Sequence, residues 1–386
     1  MANELRKAPG MRERSPGSWE LIVEAGRDPV SGKRRQVSRM FNGNLRDAKQ
    51  ARAEMIVQVK RGQHSGTGTT VDELFDQWIS ELERKGRSPN TIYGYQKVYN
   101  RNIRASLGRV SIRKVTTKML SDLYGAHQRR GLSPRSVYQI HACLSSMFTQ
   151  ACRWGWRDAN PAQWAEPPSI PNTAPVVPTP DDVQVLIEAA KQSRRPEYAR
   201  AIVIAATTGL RRAELCALRP RRDIDWERKT LTVAWSVVAL PRTAAGEIPT
   251  KNRRVRVVAV DDLTVSMLTA QVAFANDRAG EAGVLPSPDA YLFSDSEDSS
   301  MPWRPDSITQ YFARLRGRVG LAHLDFHDLR KFMETYGQHL GFSASQVAMR
   351  AGHDPSIATK HYTGSVAEAD RALAEAVASL LIPKGR

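Results

Sequence analysis

Apolar and polar positions along the chain change their spacing several times, and each change marks an element. The stretch Ser18-Trp19-Glu20-Leu21-Ile22-Val23-Glu24 alternates partly, as a half-buried strand does, and follows a loose polar tail over residues 1–10. Asp28-Pro29-Val30-Ser31-Gly32 carries turn chemistry, residues 33–41 read as a second, basic strand, and residues 45–61 read as a helix. Strands followed by a helix predict a small α+β module over residues 1–66. His64-Ser65-Gly66-Thr67-Gly68 is a small-residue linker. Thr70 and Glu73 then form the signature of a capping box ahead of Val71, Leu74, Phe75, Trp78, Ile79 and Leu82, which recur at helical spacing. Pro89 opens a second helix, residues 117–129 form a third, and Ser133-Pro134 opens a fourth. That fourth helix carries Val137, Ile140, Leu144, Met147 and Phe148 on one stripe, a core pattern. A four-helix unit over residues 67–165 follows.

Seven prolines between 161 and 180 predict a stiff, extended stretch over residues 157–180, with the linker proper at 166–178. Thr179-Pro180-Asp181-Asp182 starts a helix over Val183, Val185, Leu186 and Ile187, its acidic first turn matching the helix dipole. Leu231, Val233, Trp235 and Val237 alternate as a strand does, and residues 254–260 supply another. Residues 261–276 and 305–318 read as helices. A terminal helix over 366–381 has Leu373, Val377, Leu380 and Leu381 on one stripe, suited to its own domain or to a neighbouring protomer. The expected fold class is multidomain and mainly α with small β-sheets: an α+β module, a four-helix domain, and a mixed α/β domain over residues 179–386.

Charge adds a partner class. The formal net charge is +17 and the pI about 10.1, which favours a polyanion. Residues 1–68 hold 14 Lys/Arg against 7 Asp/Glu, residues 69–170 hold 15 against 8, and the remainder holds 28 against 25. A nucleic-acid footprint is therefore expected in the first two segments. Lys33, Arg34, Arg35 and Arg39 lie on the basic strand, which suits a DNA groove and equally a solvated basic hairpin. Lys97, Arg101 and Arg135 lie on the four-helix unit, where Tyr93, Tyr95 and Tyr99 interleave with basic residues. Cys143, Cys152 and Cys216 are an odd number without a Cys-x-x-Cys pair, so reduced thiols are expected, with neither a disulfide frame nor a zinc site. Asp181 and Asp182 read as caps, and Asp223 and Asp225 as a structural loop; no metal is expected. No Gly-x-x-x-x-Gly-Lys-Ser/Thr loop indicates ATP use. The N-terminus has no apolar signal region, and the longest apolar run, residues 201–206, is far too short to span a bilayer.

The chemistry concentrates in residues 325–364. His327 and Arg330 stand three apart and share a helix face. Gly352 precedes His353, and Tyr362 follows nine residues later. Arg grips phosphate oxygens with a planar fork, His shares a proton near neutral pH, and Tyr offers a phenolic nucleophile. Singly these residues are a solvated helix face and a surface tyrosine. Together they suggest phosphoryl transfer through a phosphotyrosine.

The order His327-Asp328-Leu329-Arg330, Ala351-Gly352-His353, Tyr362 resembles the C-terminal signature of the tyrosine recombinases, or phage integrases. Ala351 replaces the usual Leu, and Lys331 stands where the family often has a second His. Thr208-Gly209-Leu210-Arg211-Arg212-Ala213-Glu214-Leu215 is similar to the family's Thr-Gly-Leu-Arg-x-x-Glu-Leu. It implies a catalytic role for Arg211 rather than its neighbour Arg212, with Glu214 holding the turn. Thr250-Lys251-x-x-Arg254 resembles the end of the family's β-hairpin, whose lysine protonates the leaving oxygen. The implied catalytic set is Arg211, Lys251, His327, Arg330, His353 and Tyr362.

The resemblance extends to the other segments. Residues 1–66 look like an arm-type DNA-binding module and residues 67–165 like a core-binding domain. It implies site-specific recombination through a 3′-phosphotyrosine and a Holliday junction, without a cofactor. The implied partners are double-stranded DNA sites of core and arm types, a homotetramer on DNA, and an excisionase or DNA-bending accessory protein. No membrane is involved, and the location is cytoplasmic, at the nucleoid. The alternatives are DNA relaxation of the type IB topoisomerase kind and a non-catalytic DNA-binding protein.

Overall fold

The computed structural model describes residues 9–27, 34–60, 69–171, 176–241, 243–250, 255–353 and 366–382. Its contacts divide it into two compact units, Met1–Asn172 and Thr173–Arg386. Three separate hydrophobic cores lie within them.

The first core belongs to a three-stranded antiparallel sheet in the order β1-β2-β3: β1 (Met11–Ser15), β2 (Ser18–Arg27) and β3 (Arg34–Asn42). Helix α1 (Leu45–Lys60) packs on it. Met11, Trp19, Leu21 and Val23 from the strands meet Ala48 and Met55 from the helix. Strand β1 was not foreseen; only Met11 in it is buried, too little for an alternating signal. Of the basic residues expected to face DNA, Arg34 is exposed and paired with Glu24, and Arg39 is exposed. Lys33, and the side chain of Arg35, lie outside the described residues.

The second core is helical: α2 (Val71–Arg84), α3 (Pro89–Asn102), the short α4 (Arg104–Leu107), α5 (Thr117–Arg129) and α6 (Pro134–Arg153). The capping box forms as spelled, with Thr70 Oγ1 accepting from Glu73 N at 3.2 Å and Glu73 Oε2 from Thr70 N at 2.7 Å. The α6 stripe is fully buried. Tyr99 is core rather than surface: its ring stacks on Phe75 at 3.7 Å and its hydroxyl donates to Asp72 at 2.8 Å. Lys97, Arg101 and Arg135 are exposed. The expected extended stretch begins later than residue 157. Ala162 and Ala165 are buried in this core, and the Arg157 guanidinium is bonded to the carbonyls of Ile112 and Val115.

The second unit centres on α8 (Glu197–Thr208), which follows α7 (Pro180–Lys191) and has buried residues all round. Such a helix must lie in the middle of its domain. The elements that follow are α9 (Arg212–Cys216), α10 (Pro220–Asp223), β4 (Ile224–Asp225), β5 (Thr230–Val233), β6 (Trp235–Val238), β7 (Gly246–Pro249) and β8 (Arg256–Ala259). Then come α11 (Asp262–Glu281), α12 (Pro305–Arg318), α13 (Asp328–His339), α14 (Ala344–Ala351) and α15 (Val366–Ser379). Strands β4, β5 and β8 form one antiparallel sheet, and β6 and β7 form a separate hairpin.

The single strand expected over Leu231 to Val237 is thus two strands in two sheets. Leu231, Val233 and Val237 are buried, but Trp235 is 36% exposed, beneath the Arg222 guanidinium. Val185 is also exposed, off the buried stripe of α7. The stripe of α15 packs on its own unit, with Leu373, Val377 and Leu381 buried in that core. Among the described residues no helix is long and apolar enough to cross a membrane.

Candidate active site

Two glycines in the left-handed region aim the key side chains. Helix α8 ends on Gly209 at φ +68°, where a Cβ would collide with Met333 Cε. Only glycine adopts this turn without strain. The turn delivers Arg211 to the N-cap of α9 in an extended conformation. Helix α14 ends on Gly352 at φ +69°, and the next amide, His353 N, donates back to Ala348 O at 2.9 Å. This fixes where the His353 ring departs from the helix.

Glu214 forms the frame beneath. It is 2% exposed, and its Oε2 accepts from the Arg211 amide at 2.9 Å while its Oε1 accepts from Arg211 Nη1 at 2.8 Å. Arg256 on β8 completes the arrangement, with Nη2 donating to Glu214 Oε2 at 2.7 Å and Nε to the Arg350 carbonyl at 3.0 Å. Burial would raise the Glu214 pKa. The hydrogen bonds and charge of Arg256, with those of Arg211, outweigh it and hold the carboxyl below its ordinary value. Arg211 Nη2 also reaches the Gly352 carbonyl at 3.4 Å.

Arg330 comes from the first turn of α13 and is 2% exposed. Its Nη1 donates to the Gly209 carbonyl at 2.8 Å, and its Nη2 lies 3.2 Å from His353 Nε2. Burial, and then the neighbouring Arg211 charge, push its pKa down to about 10, so it stays cationic at neutral pH. His327 stands at the N-cap of α13, at the surface. Partial desolvation and the Arg330 charge lower its pKa, so the neutral ring prevails at pH 7.

Arg211, Arg330 and His353 therefore converge from three distant segments, and His327 lies one helical turn from Arg330. Arg212 turns away to Thr309 and Asp306 on α12. Lys251 and Tyr362 lie outside the described residues. The hairpin ahead of Lys251 is well held: Thr250 is buried and its amide donates to Ala234 O at 2.9 Å. Glu247 on β7 accepts from Arg219 at 3.0 Å and Arg222 at 2.8 Å.

Two members of the cluster escaped sequence reasoning. Arg256 sits in an ordinary strand pattern, and nothing local signals a partner 42 positions away. Glu334 lies four residues beyond Arg330, a spacing that predicts an ion pair on a helix, and the pair is present at 2.9 Å.

Asp223 and Asp225 serve the backbone, as expected of a structural loop. Asp223 accepts from Arg219 N and Asp225 from Arg228 N, each at 2.9 Å.

Residues 177–368 match the phage integrase family. The tyrosine recombinase XerC-like protein of Caldanaerobacter subterraneus subsp. tengcongensis is 22% identical over 366 residues, covering 89% of this chain and 92% of that protein. The ICEBs1 integrase of Bacillus subtilis is 22% identical over 339 residues, covering 87% and 90%. In fold, the chain is similar to the Tn1549 transposon integrase in complex with circular intermediate DNA, with a TM-score of 0.60 at 19% identity over 78% of this chain and 99% of that one. It is also similar to a lambda integrase tetramer bound to a Holliday junction, with a TM-score of 0.52 at 19% identity over 93% and 98%. The arginine–histidine cluster falls inside the matched segment, and the chain belongs to the phage integrase family of tyrosine recombinases.

Proposed function

We propose that the protein is a site-specific DNA recombinase in which Tyr362 attacks the scissile phosphorus. The observation that carries this reading is the convergence of Arg211, Arg330 and His353 on a frame fixed by Glu214. Two guanidiniums bind the non-bridging oxygens and stabilise the charge that grows in the transition state. His353 adds a hydrogen bond to the phosphate. A free phenol has a pKa of about 10, so its proton must be drawn off. His327, neutral at pH 7, is the acceptor. The new P–O bond to Tyr362 forms as the bond to the 5′ oxygen breaks, and Lys251 gives that oxygen a proton. The 3′-phosphotyrosine keeps the energy of the broken linkage. A 5′ hydroxyl from the second duplex attacks it, reseals the strand and returns the phenol.

In the same reading, residues 1–66 contact arm-type sites, residues 67–165 contact core sites, and residues 179–386 carry the chemistry after the linker at 166–178. The separate cores of the sheet module and the helical unit support that division. Exposed Arg39, Lys97, Arg101 and Arg135 suit phosphate contacts. The working assembly is a homotetramer in the cytoplasm, at the nucleoid, with an excisionase or DNA-bending protein setting direction.

A suicide substrate, nicked so that the released strand cannot return, tests the chemistry. The wild type should accumulate a covalent DNA adduct. Tyr362→Phe should form none while binding DNA nearly as well, since only the nucleophile is lost. An adduct formed by Tyr362→Phe would rule out this nucleophile.

A further inference from the structure

One carboxylate oxygen sits where the phosphate-binding groups cross. Glu334 lies one turn beyond Arg330 on α13. Its Oε1 accepts from Arg330 Nε at 2.9 Å and stands 2.8 Å from His353 Nε2. The same His353 Nε2 is 3.2 Å from Arg330 Nη2. One ring nitrogen cannot donate to the carboxylate and accept from the guanidinium together. The carboxylate contact is shorter and its acceptor is charged, so it prevails. His353 Nε2 therefore carries the proton, and the approach to Nη2 is a contact between two donors held side by side by one anion.

Glu334 differs from Glu214 in a way that matters here. Glu214 is sealed in, with both oxygens bonded to Arg211 and Arg256. The Glu334 side chain is 24% exposed, and its partners are two of the groups assigned above to the DNA phosphate. A carboxylate oxygen and a non-bridging phosphate oxygen carry the same sign and accept from the same donors. Both cannot take the same position without like-charge repulsion.

We infer that Glu334 is a positioning residue that stands in for the phosphate. Before DNA arrives its carboxylate aligns Arg330 and His353 as donors, and it releases His353 when the phosphodiester takes its place. This rests on the reading that Arg330 and His353 bind the phosphate. A purely structural ion pair has the opposite consequence: removing its charge loosens the two donors, and anion binding weakens or stays level.

Inorganic phosphate is the probe that separates these. It is titrated into full-length protein at pH 7 and low salt, and binding is followed at the His353 ring by NMR, with the resonance assigned by its loss in His353→Gln. Glu334→Gln keeps the shape and a carbonyl acceptor but removes the charge. It should bind phosphate about fivefold more tightly than the wild type, the scale of one like charge removed about 4 Å away in water. Glu375→Gln, the same charge change at an exposed position of α15, should match the wild type. Equal or weaker binding by Glu334→Gln, or an equal gain in Glu375→Gln, overturns the inference and leaves the phosphate-binding reading intact. No response at His353 in either the wild type or Glu334→Gln overturns both.

Discussion

The helical unit and the unit that carries the candidate site are built from different interiors. Among the described residues of α2 to α6 and their connections, the buried polar side chains are His127 and Gln150, neither of them charged in the manner of a carboxylate or guanidinium. The other unit buries Glu197, Glu214, Asp223, Asp261, Asp328, Arg330 and Arg350. Apolar stripes stabilise through area removed from water and tolerate approximate geometry. Buried charges are tolerated only when paired and bonded, and that demand fixes side-chain positions to within a hydrogen bond. The first unit's interior is suited to holding a shape, the second's to holding a constellation.

The largest test of this contrast is Glu214→Ala. It strands the largely buried Arg256 and leaves Arg211 without its anchor, and should cost about 3–5 kcal/mol of stability, along with most DNA cleavage. Because the folded-state pKa of Glu214 is depressed, its contribution is present above its ordinary value of 4.5 and is lost as pH falls below that. The wild type should therefore lose stability relative to the variant in that acid range. Urea unfolding across pH measures both. A loss under about 1 kcal/mol would erase the contrast, since surface pairs already reach that value.

Next in size, Arg211→Ala should slow adduct formation by about 10²–10³, the scale of removing one preorganised donor. Arg212→Ala, whose partners are on α12, should leave the rate within about twofold, as expected of a surface pair. Single-turnover cleavage of the suicide substrate reads both. Loss in Arg212→Ala alone would move the assignment by one residue.

The smallest expected effect lies in the helical unit. Thr70→Ala removes the cap of α2 and should cost about 1 kcal/mol in urea unfolding, without altering the chemistry of bound substrate. A cost above about 3 kcal/mol, or a slower chemical step, would mean that the helical unit is as finely constrained as the other.

The same contrast explains what was legible in the sequence. Caps and stripes are local, so Thr70 with Glu73, Thr179 with Asp182, and the α6 stripe could be read directly. The placement of His353 depended on Gly352 immediately before it, and that too was readable, whereas the role of Arg211 came from the resemblance of residues 208–215 to the family's motif. Arg256 was not, because its meaning lies in a contact with Glu214 made only when β8 folds back beside α9. The division of Leu231–Val237 into two sheets was hidden for a related reason: alternation gives the pleat but not the partner strand. Val185 fits the apolar composition of α7 yet lies off its buried face.

The burial of Glu214 also sorts the protein's charges by their access to salt. Exposed Lys97, Arg101 and Arg135 sit in the ion atmosphere, where the Debye length is about 8 Å at physiological ionic strength. In the proposed role of these residues as phosphate contacts, counterions compete with phosphate, so the hold on DNA should fade steeply as salt rises. The pair that Arg256 makes with Glu214 lies largely beyond that atmosphere. Ionic strength can thus set how long the protein stays on DNA while leaving the buried Arg256–Glu214 frame unchanged.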